Sequence, residues 1–265
     1  MKFKPIIESD LEKIRKLQPE GWPDIIENFK YYIKASFCNP IKVLSKDEIV
    51  GIGTAVSYIN TGWLAHIIVS EDHRSKGIGG SIVNYLCSYL KKKKHKTISL
   101  IASELGYPVY KKAGFIQETE YIFLERTELL EEFSSENISL IKDKDKDYIL
   151  SLDIKVSGEN RQELLSQFLN DGFVYHEGRK VLGYYLKELG EGLIISDDLE
   201  AGKELMKFRS LYSKTAVLPI QNKNGIEFLK SIGIEEKLSN KRMVYGKEII
   251  WNPNKVFNRI GGNFG

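Results

Sequence analysis

The segment from Ile67 to Gly80 constrains the fold of this chain more than any other part of the sequence. It reads IIVSEDHRSKGIGG, an apolar strand followed by a glycine-containing loop that opens a helix with apolar residues at four-residue spacing. Glycines in such a loop tolerate positive φ, so successive backbone N–H groups can point at one spot near the positive end of the helix dipole. Arg74 and Lys76 add full positive charges. The pattern therefore suits a bound diphosphate.

Two other kinds of phosphate loop fit these residues less well. A Walker loop ends in Gly-Lys-Ser/Thr, whereas here Lys76 precedes Gly77. A dinucleotide fingerprint needs a glycine at its last position, which is Ile82 in this chain. Considered alone, the segment is also compatible with a plain glycine turn between a strand and a helix.

Composition and charge exclude several classes of protein. The net charge of +3 is too small to argue for nucleic acid as a partner. The sequence has no apolar run of 18 residues and begins without the pattern of a signal peptide, so we expect no membrane span and a cytoplasmic location. Cys38 and Cys87 can form no disulfide framework, and no thiol or histidine stands at metal-ligand spacing.

The periodicity of apolar residues predicts an α/β fold of the α+β type, with a mixed sheet. In the first half it indicates strands near 3–7, 41–45, 49–58, 63–70, 97–102 and 115–124, with helices from about 10, over 23–37, after 80 and before Gly114. The charged stretch 125–142 is weakly patterned, and beyond it the same order of elements recurs up to a strand near 241–247. We therefore predict two tandem domains, 1–130 and 138–265.

Two motifs together resemble those of the GNAT acyltransferases. Arg74, Gly77 and Gly79 match the Arg/Gln-x-x-Gly-x-Gly/Ala loop of that family, and Tyr110 to Phe115 resembles its Tyr-x-x-x-Gly-Phe segment. Ser75 departs mildly, since glycine is common at its position. The resemblance implies a GNAT-like fold, acetyl-CoA as the acyl donor, and Tyr110 as the general acid that protonates the departing sulfur. It implies that the cofactor is bound by the following residues: Ile67, Ile68, Val69, Arg74, Ser75, Lys76, Gly77, Ile78, Gly79 and Gly80.

The second half resembles a GNAT subgroup in which a degenerate copy follows the working domain. The segments that carry this likeness are Asp153 to Arg161, Lys241-Arg242-Met243 and the glycine-rich end near Gly261. At the place of the phosphate loop the second half has Asp197, Asp198 and Glu200, which would repel a pyrophosphate. Leu229 stands where the tyrosine would be. We therefore expect one acetyl-CoA site, in the first half.

The sequence leaves the general base and the acceptor open. His66, Glu104 or a chain of water molecules could take the proton of the attacking amine, and His73, His95 and His176 are expected at the surface. The acceptor is either a small-molecule amine or a peptide amine, and the aromatic residues between Trp22 and Tyr32 either line its pocket or form an ordinary core face. An alternative to a transferase is an acyl-CoA-binding sensor or pseudo-enzyme. The oligomeric state is not indicated.

Overall fold

A computed structural model describes residues 1–265, and these form two compact units. The first unit consists of Met1–Ile116, Met243–Glu248 and Gly262–Phe264. The second consists of Gln117–Arg242, Ile249–Gly261 and Gly265. Neither unit is continuous in sequence. The division at 1–130 and 138–265, which follows the order of the repeats along the chain, stays a prediction.

The first unit is built around a mixed sheet. Its strands are β1 (Lys2–Pro5), β2 (Cys38–Ser45), β3 (Glu48–Ser57), β4 (Gly62–Val69) and β5 (Thr97–Ala102), and its helices are α1 (Leu11–Ile14), α2 (Ile25–Lys34), α3 (Ile78–Lys92) and α4 (Tyr107–Lys112). The sheet runs in the order β1-β2-β3-β4-β5, antiparallel except for the parallel pair β4 and β5. The predicted mixed sheet is confirmed.

Residues 243–248 continue the first unit beyond β5. The N–H of Lys247 donates to the carbonyl of Lys96 at 2.8 Å, and the hydroxyl of Thr97 donates to the carbonyl of Lys247. Tyr245 packs against Phe115, with ring centroids 5.5 Å apart. Residues 243–248, which are distant in sequence, therefore pack against the turn after α4 that contains Phe115.

Local chemistry explains how α3 is placed on the sheet. Its buried face includes Ile82 and Leu86, and a Cβ added at Gly53 of β3 would lie 2.7 Å from the first of these and 3.1 Å from the second. Only a residue without a side chain lets the helix approach the sheet this closely. The close approach places the first turns of α3 directly against β3.

The second unit repeats the order of elements seen in the first. Its strands are β6 (Ile116–Glu125), β7 (Ile138–Leu140), β8 (Phe173–Glu177), β9 (Lys180–Leu186), β10 (Leu193–Ser196), β11 (Thr215–Pro219), β12 (Glu235–Gly246, whose end belongs to the first unit) and β13 (Val256–Asn258). Its helices are α5 (Asp143–Ser157), α6 (Gln162–Leu165), α7 (Leu199–Arg209) and α8 (Lys223–Ser231). One sheet runs β13-β10-β9-β8-β7, and β6 pairs with β11.

The acidic segment of the second unit caps a helix. The carboxylate of Asp198 accepts the N–H of Ala201 at 2.9 Å, which satisfies a free donor at the start of α7. Asp197 pairs with Lys155 at 2.7 Å, and Leu229 is buried in the core. This start of a helix is therefore already occupied by the chain's own carboxylates.

Asp153 and Arg161 form a buried ion pair in the second unit. The guanidinium of Arg161 meets the carboxylate of Asp153 through two hydrogen bonds of 2.9 Å, and the hydroxyl of Tyr184 donates to Asp153 at 2.6 Å. Asp153 is 1% exposed and Arg161 is 4% exposed. Because each buried charge is compensated by the other, we interpret this pair as part of the structural framework of the unit.

None of the helices is both long and apolar enough to cross a bilayer.

Candidate active site

The loop before α3 presents a row of free backbone donors. Within the chain, no hydrogen bond is donated by the N–H groups of residues 75–80, and the first helical bond runs from Ser81 to the carbonyl of Gly77 at 3.0 Å. Gly77 has φ +78° and Ser75 has φ +61°. Both lie in the left-handed region, which explains why the family resemblance puts glycine at the place of Ser75.

The space around this loop is open. A Cβ added at Gly77 or Gly80 would meet nothing within 4 Å, whereas one at Gly79 would lie 3.8 Å from both Val69 and Val109. Six free N–H groups at a helix start, with open space at Gly77 and Gly80, fit the oxygens of a diphosphate. The start of α3 lies between the end of β4 and α4, so the loop, Val69 and the helix of Tyr110 line one place.

The two cationic side chains of the loop, those of Arg74 and Lys76, make exposed and therefore weak interactions within the chain. Arg74 pairs with Glu71 at 2.9 Å, and Lys76 donates to the carbonyl of Asp72 at 2.7 Å. Arg74 is 40% exposed and Glu71 is 84% exposed, and an exposed pair of this kind contributes at most about 1 kcal/mol. A phosphate could therefore replace Glu71 as the partner of Arg74.

Strand β4 is irregular where it approaches the loop. His66 has φ +48°, and the register against β3 shifts between Ile52 and Thr54, so that His66 and Ile67 together oppose the single residue Gly53. This is a β-bulge at a non-glycine residue, an arrangement found often beside active sites. In addition, β4 pairs with β5 only at Gly62 and Trp63, so the rest of β4 leaves a backbone edge open toward β5.

Tyr110 lies in α4 with its ring buried and its hydroxyl unpaired. Its side chain is 8% exposed, it stacks edge-on against Phe115 at 6.2 Å, and its hydroxyl makes no hydrogen bond within the chain. A Cβ at Gly106 would come within 2.7 Å of the ring, so that glycine makes room for it. Burial raises the pKa of Tyr110 to about 12, which keeps the hydroxyl protonated at neutral pH.

His66 belongs to a hydrogen-bonded chain that the sequence did not indicate. Its Nδ1 lies 2.8 Å from the hydroxyl of Tyr32, which is fully buried, and Nδ2 of Asn263 donates to the same hydroxyl at 3.0 Å. Phe29 and Trp22 contact the His66 ring edge-on, at centroid distances of 5.8 and 6.1 Å. Phe29 is buried as a core residue, whereas Trp22 is 44% exposed beside His66.

The burial of His66 predicts that the free energy of unfolding falls at acidic pH. Burial lowers the pKa of His66 from 6.5 to about 4, so between these values the unfolded chain binds a proton that the folded chain does not. The stabilisation is complete above pH 6.5 and is lost as the pH falls toward 4. We expect this residue to lower the free energy of unfolding by roughly 2 kcal/mol between pH 7 and pH 5, measured by urea unfolding at both values.

The variant His66→Gln isolates this contribution, because it removes the titrating ring and keeps a polar side chain of similar reach. We expect the pH dependence of its unfolding free energy to be shallower than that of the wild type by that same amount. Tyr185→Phe, in the second unit, serves as the control and should keep the wild-type slope, because burial raises the pKa of Tyr185 to about 12, outside this range of pH. Equal slopes in wild type and His66→Gln would mean that His66 titrates alike in both states.

One prediction for a histidine is wrong. His95 is only 8% exposed, and its Nε2 lies 2.6 Å from the hydroxyl of Ser57. His95 lies shortly after the end of α3, where the chain passes close to Ser57 of β3. The lysines around it indicated a solvated segment, but its own side chain is directed toward the sheet. Burial lowers the pKa of His95 as well.

Comparison with known proteins identifies the same part of the chain. The acetyltransferase (GNAT) domain family matches residues 11–125, which include the loop, His66 and Tyr110. No curated protein matches the sequence at a significant level.

Solved structures share the fold over nearly the whole chain. A candidate acetyltransferase from Pyrococcus horikoshii superposes with a TM-score of 0.83 at 22% identity, covering 100% of this chain and 95% of the other. A GCN5-related N-acetyltransferase from Sphaerobacter thermophilus gives 0.66 at 12% identity, covering 94% and 97%. A tandem GNAT protein from the clavulanic acid biosynthesis pathway gives 0.60 at 12% identity, covering 92% and 98%. The predicted arrangement of two GNAT-like domains is confirmed at the level of the fold.

Proposed function

Because residues 11–125 match the acetyltransferase (GNAT) domain family, we propose that this protein transfers the acetyl group of acetyl-CoA to a primary amine, by direct attack while both substrates are bound. The observation that carries the proposal is the row of unpartnered N–H groups at residues 75–80, facing open space at Gly77 and Gly80. The residues that would hold the cofactor are those of this loop, with the backbone of Ile67, Ile68 and Val69 along the pantetheine arm.

In this mechanism the bound thioester supplies an activated acyl carbon. Backbone N–H groups at the bulge of β4 orient it and stabilise the negative charge that develops on its oxygen. The amine nitrogen forms the new bond to carbon, the carbon–sulfur bond breaks, and Tyr110 gives its proton to the departing sulfur. His66 is the second proposed catalytic residue, on the side of the acceptor. The proton lost by the amine reaches solvent, from which Tyr110 is reprotonated.

A single site in the first unit is supported by the second unit's own chemistry. There the corresponding helix start is capped by Asp198, Asp197 is paired with Lys155, and the tyrosine position is the buried Leu229. Carboxylates at this place would repel a pyrophosphate, and no phenol is available to protonate a thiolate. The second unit is therefore proposed as a structural or acceptor-shaping partner. Its role and the cytoplasmic location stay predictions.

The main alternative is a sensor that binds acyl-CoA without transferring the acyl group. Two measurements on one preparation separate the two: calorimetric titration with acetyl-CoA, and release of free thiol in the presence of primary amines and of a peptide with a free N-terminus. We expect one equivalent bound and amine-dependent thiol release. Binding without release for any amine would favour the sensor, and an absence of binding would overturn both readings.

A further inference from the structure

A chain of hydrogen bonds leads from residue 263 to the ring of His66. Nδ2 of Asn263 donates one hydrogen to Oδ1 of Asn28 at 3.1 Å and another to the hydroxyl oxygen of Tyr32 at 3.0 Å. The same hydroxyl lies 2.8 Å from Nδ1 of His66. Phe264 holds the segment in place, because its carbonyl accepts the hydroxyl of Tyr58 at 2.9 Å and its ring packs edge-on against that of Tyr32.

Counting hydrogens along this chain assigns the tautomer of His66. An amide nitrogen only donates, so the oxygen of Tyr32 acts as the acceptor toward Asn263. The single hydrogen of the Tyr32 hydroxyl is then directed to its remaining partner, Nδ1 of His66. A neutral imidazole that accepts at Nδ1 carries its hydrogen at Nε2. This Nε2 has no hydrogen-bond partner within the chain.

We infer that Asn263 is a positioning residue which, through Tyr32, holds His66 as an Nε2–H donor for an oxygen atom of the acceptor. The inference rests on the proposed function for the existence of an acceptor, although the tautomer itself does not. Residues 262–264 belong to the first unit by their contacts. The inference makes them part of its proposed active site as well.

This assignment restricts the chemistry of the acceptor. The attacking nitrogen needs its lone pair for the acyl carbon, so a donor at Nε2 must meet a different atom of the acceptor. The N–H of a neutral imidazole can donate to an oxygen such as an amide carbonyl, a hydroxyl or a carboxylate. The predicted substrate class is an amine with such an oxygen close by. His66 is then a donor and not the base, and water takes the proton of the amine.

The first test reads the tautomer directly, by nitrogen NMR of the full-length protein labelled at histidine, near pH 7. In the wild type we expect Nδ1 of His66 to be unprotonated and Nε2 to carry the hydrogen. Asn28→Asp should keep this state, because its carboxylate can only accept from Asn263. Asn263→Asp should reverse it, because the new carboxylate accepts the hydroxyl of Tyr32 and Nδ1–H then donates to the Tyr32 oxygen. A wild type protonated at Nδ1, or an Asn263→Asp variant that keeps the wild-type signal, would overturn the assignment.

The second test compares two acceptors that differ only in the oxygen: phenylalaninamide, and 2-phenylethylamine, which lacks the amide. We expect His66→Ala to lower kcat/KM for phenylalaninamide about tenfold more than for 2-phenylethylamine, through a higher KM for the amide. His66→Gln, whose amide N–H replaces Nε2–H, should restore the loss. Equal losses for both amines, without rescue by glutamine, would refute the donor role. If the wild type transfers the acetyl group to no primary amine, the proposed function fails while the NMR result stands by itself.

Discussion

Replacing Gly77 by glutamate is expected to weaken acetyl-CoA binding at least about 100-fold. A Cβ at this position enters open space in front of the free N–H groups, which is where the diphosphate is proposed to lie. A carboxylate about 4 Å from a phosphate costs about 4 kcal/mol at an effective dielectric constant of 20, and each 1.4 kcal/mol is a factor of ten in affinity. Calorimetric titration of wild type and variant with acetyl-CoA gives the measurement.

Two control variants separate charge from strain in this experiment. Gly77→Gln has the size of glutamate without its charge, so it should bind more weakly than wild type but clearly more tightly than Gly77→Glu. Gly178→Glu places the same side chain at φ +59° in the turn between β8 and β9, with nothing within 4 Å, and should bind as the wild type does. If Gly77→Glu kept the wild-type affinity, or if the wild type bound two equivalents, the proposed location of the single site would be wrong.

The parts of this molecule that could be predicted from sequence are those set by local pattern. The bounds of β5 agree with the predicted strand over residues 97–102, and between the predicted strands 41–45 and 49–58 Lys46 and Asp47 form the turn that joins β2 to β3, both at positive φ. The loop before α3 is local in the same sense, because glycine spacing, strand and helix follow one another within a few residues.

Helix α5 was not predicted with bounds of its own, although a signal for it was present. Its sequence DKDKDYILSLDIKVS is dominated by charge at its start, yet Ile149, Leu152 and Val156 are all buried on one face. These positions follow the i, i+3, i+7 spacing of an amphipathic helix. The charged run obscured a periodicity that begins only in the second turn.

The remainder of the candidate site depends on contacts that no local pattern encodes. Asn263 meets Tyr32 across a separation of 231 residues, and nothing in the sequence around either residue indicates the pairing. The bulge at His66 has the same origin, because few residues other than glycine adopt positive φ and the register of β3 against β4 imposes it here. Long-range packing therefore determines that His66 and Asn263 belong to the same candidate site as the loop and Tyr110.

Replacing Tyr110 by phenylalanine should lower kcat by about 100-fold to 1,000-fold and leave the affinity for acetyl-CoA within about twofold of wild type. Since its hydroxyl makes no hydrogen bond within the chain, its removal leaves no buried partner unsatisfied, and the ring can keep its place against Phe115. The two effects are separated by steady-state kinetics at saturating acetyl-CoA and by calorimetric titration with acetyl-CoA alone.

The raised pKa of Tyr110 does not disqualify it as the acid. A free thiol has a pKa of roughly 8.5, well below 12, but the same loss of water that weakens the phenol also destabilises a departing thiolate. In this unit, burial raises the pKa of the Cys87 thiol to about 11, close to that of the tyrosine. Loss of water therefore raises the proton affinity of the departing sulfur in the same direction as that of the phenol, which brings the donor and the acceptor of the proton closer together.

Tyr185→Phe is the matched control for Tyr110→Phe. Tyr185 lies in the second unit, is 2% exposed, and has a pKa raised by burial to about 12, as Tyr110 has. Tyr185→Phe removes the hydroxyl of a similarly buried phenol, at a place where no chemistry is proposed. We therefore expect kcat to stay at the wild-type value. A loss of kcat in both variants would indicate a general effect of losing a buried hydroxyl. An unchanged kcat in Tyr110→Phe would remove Tyr110 from the mechanism and leave protonation of the sulfur to water.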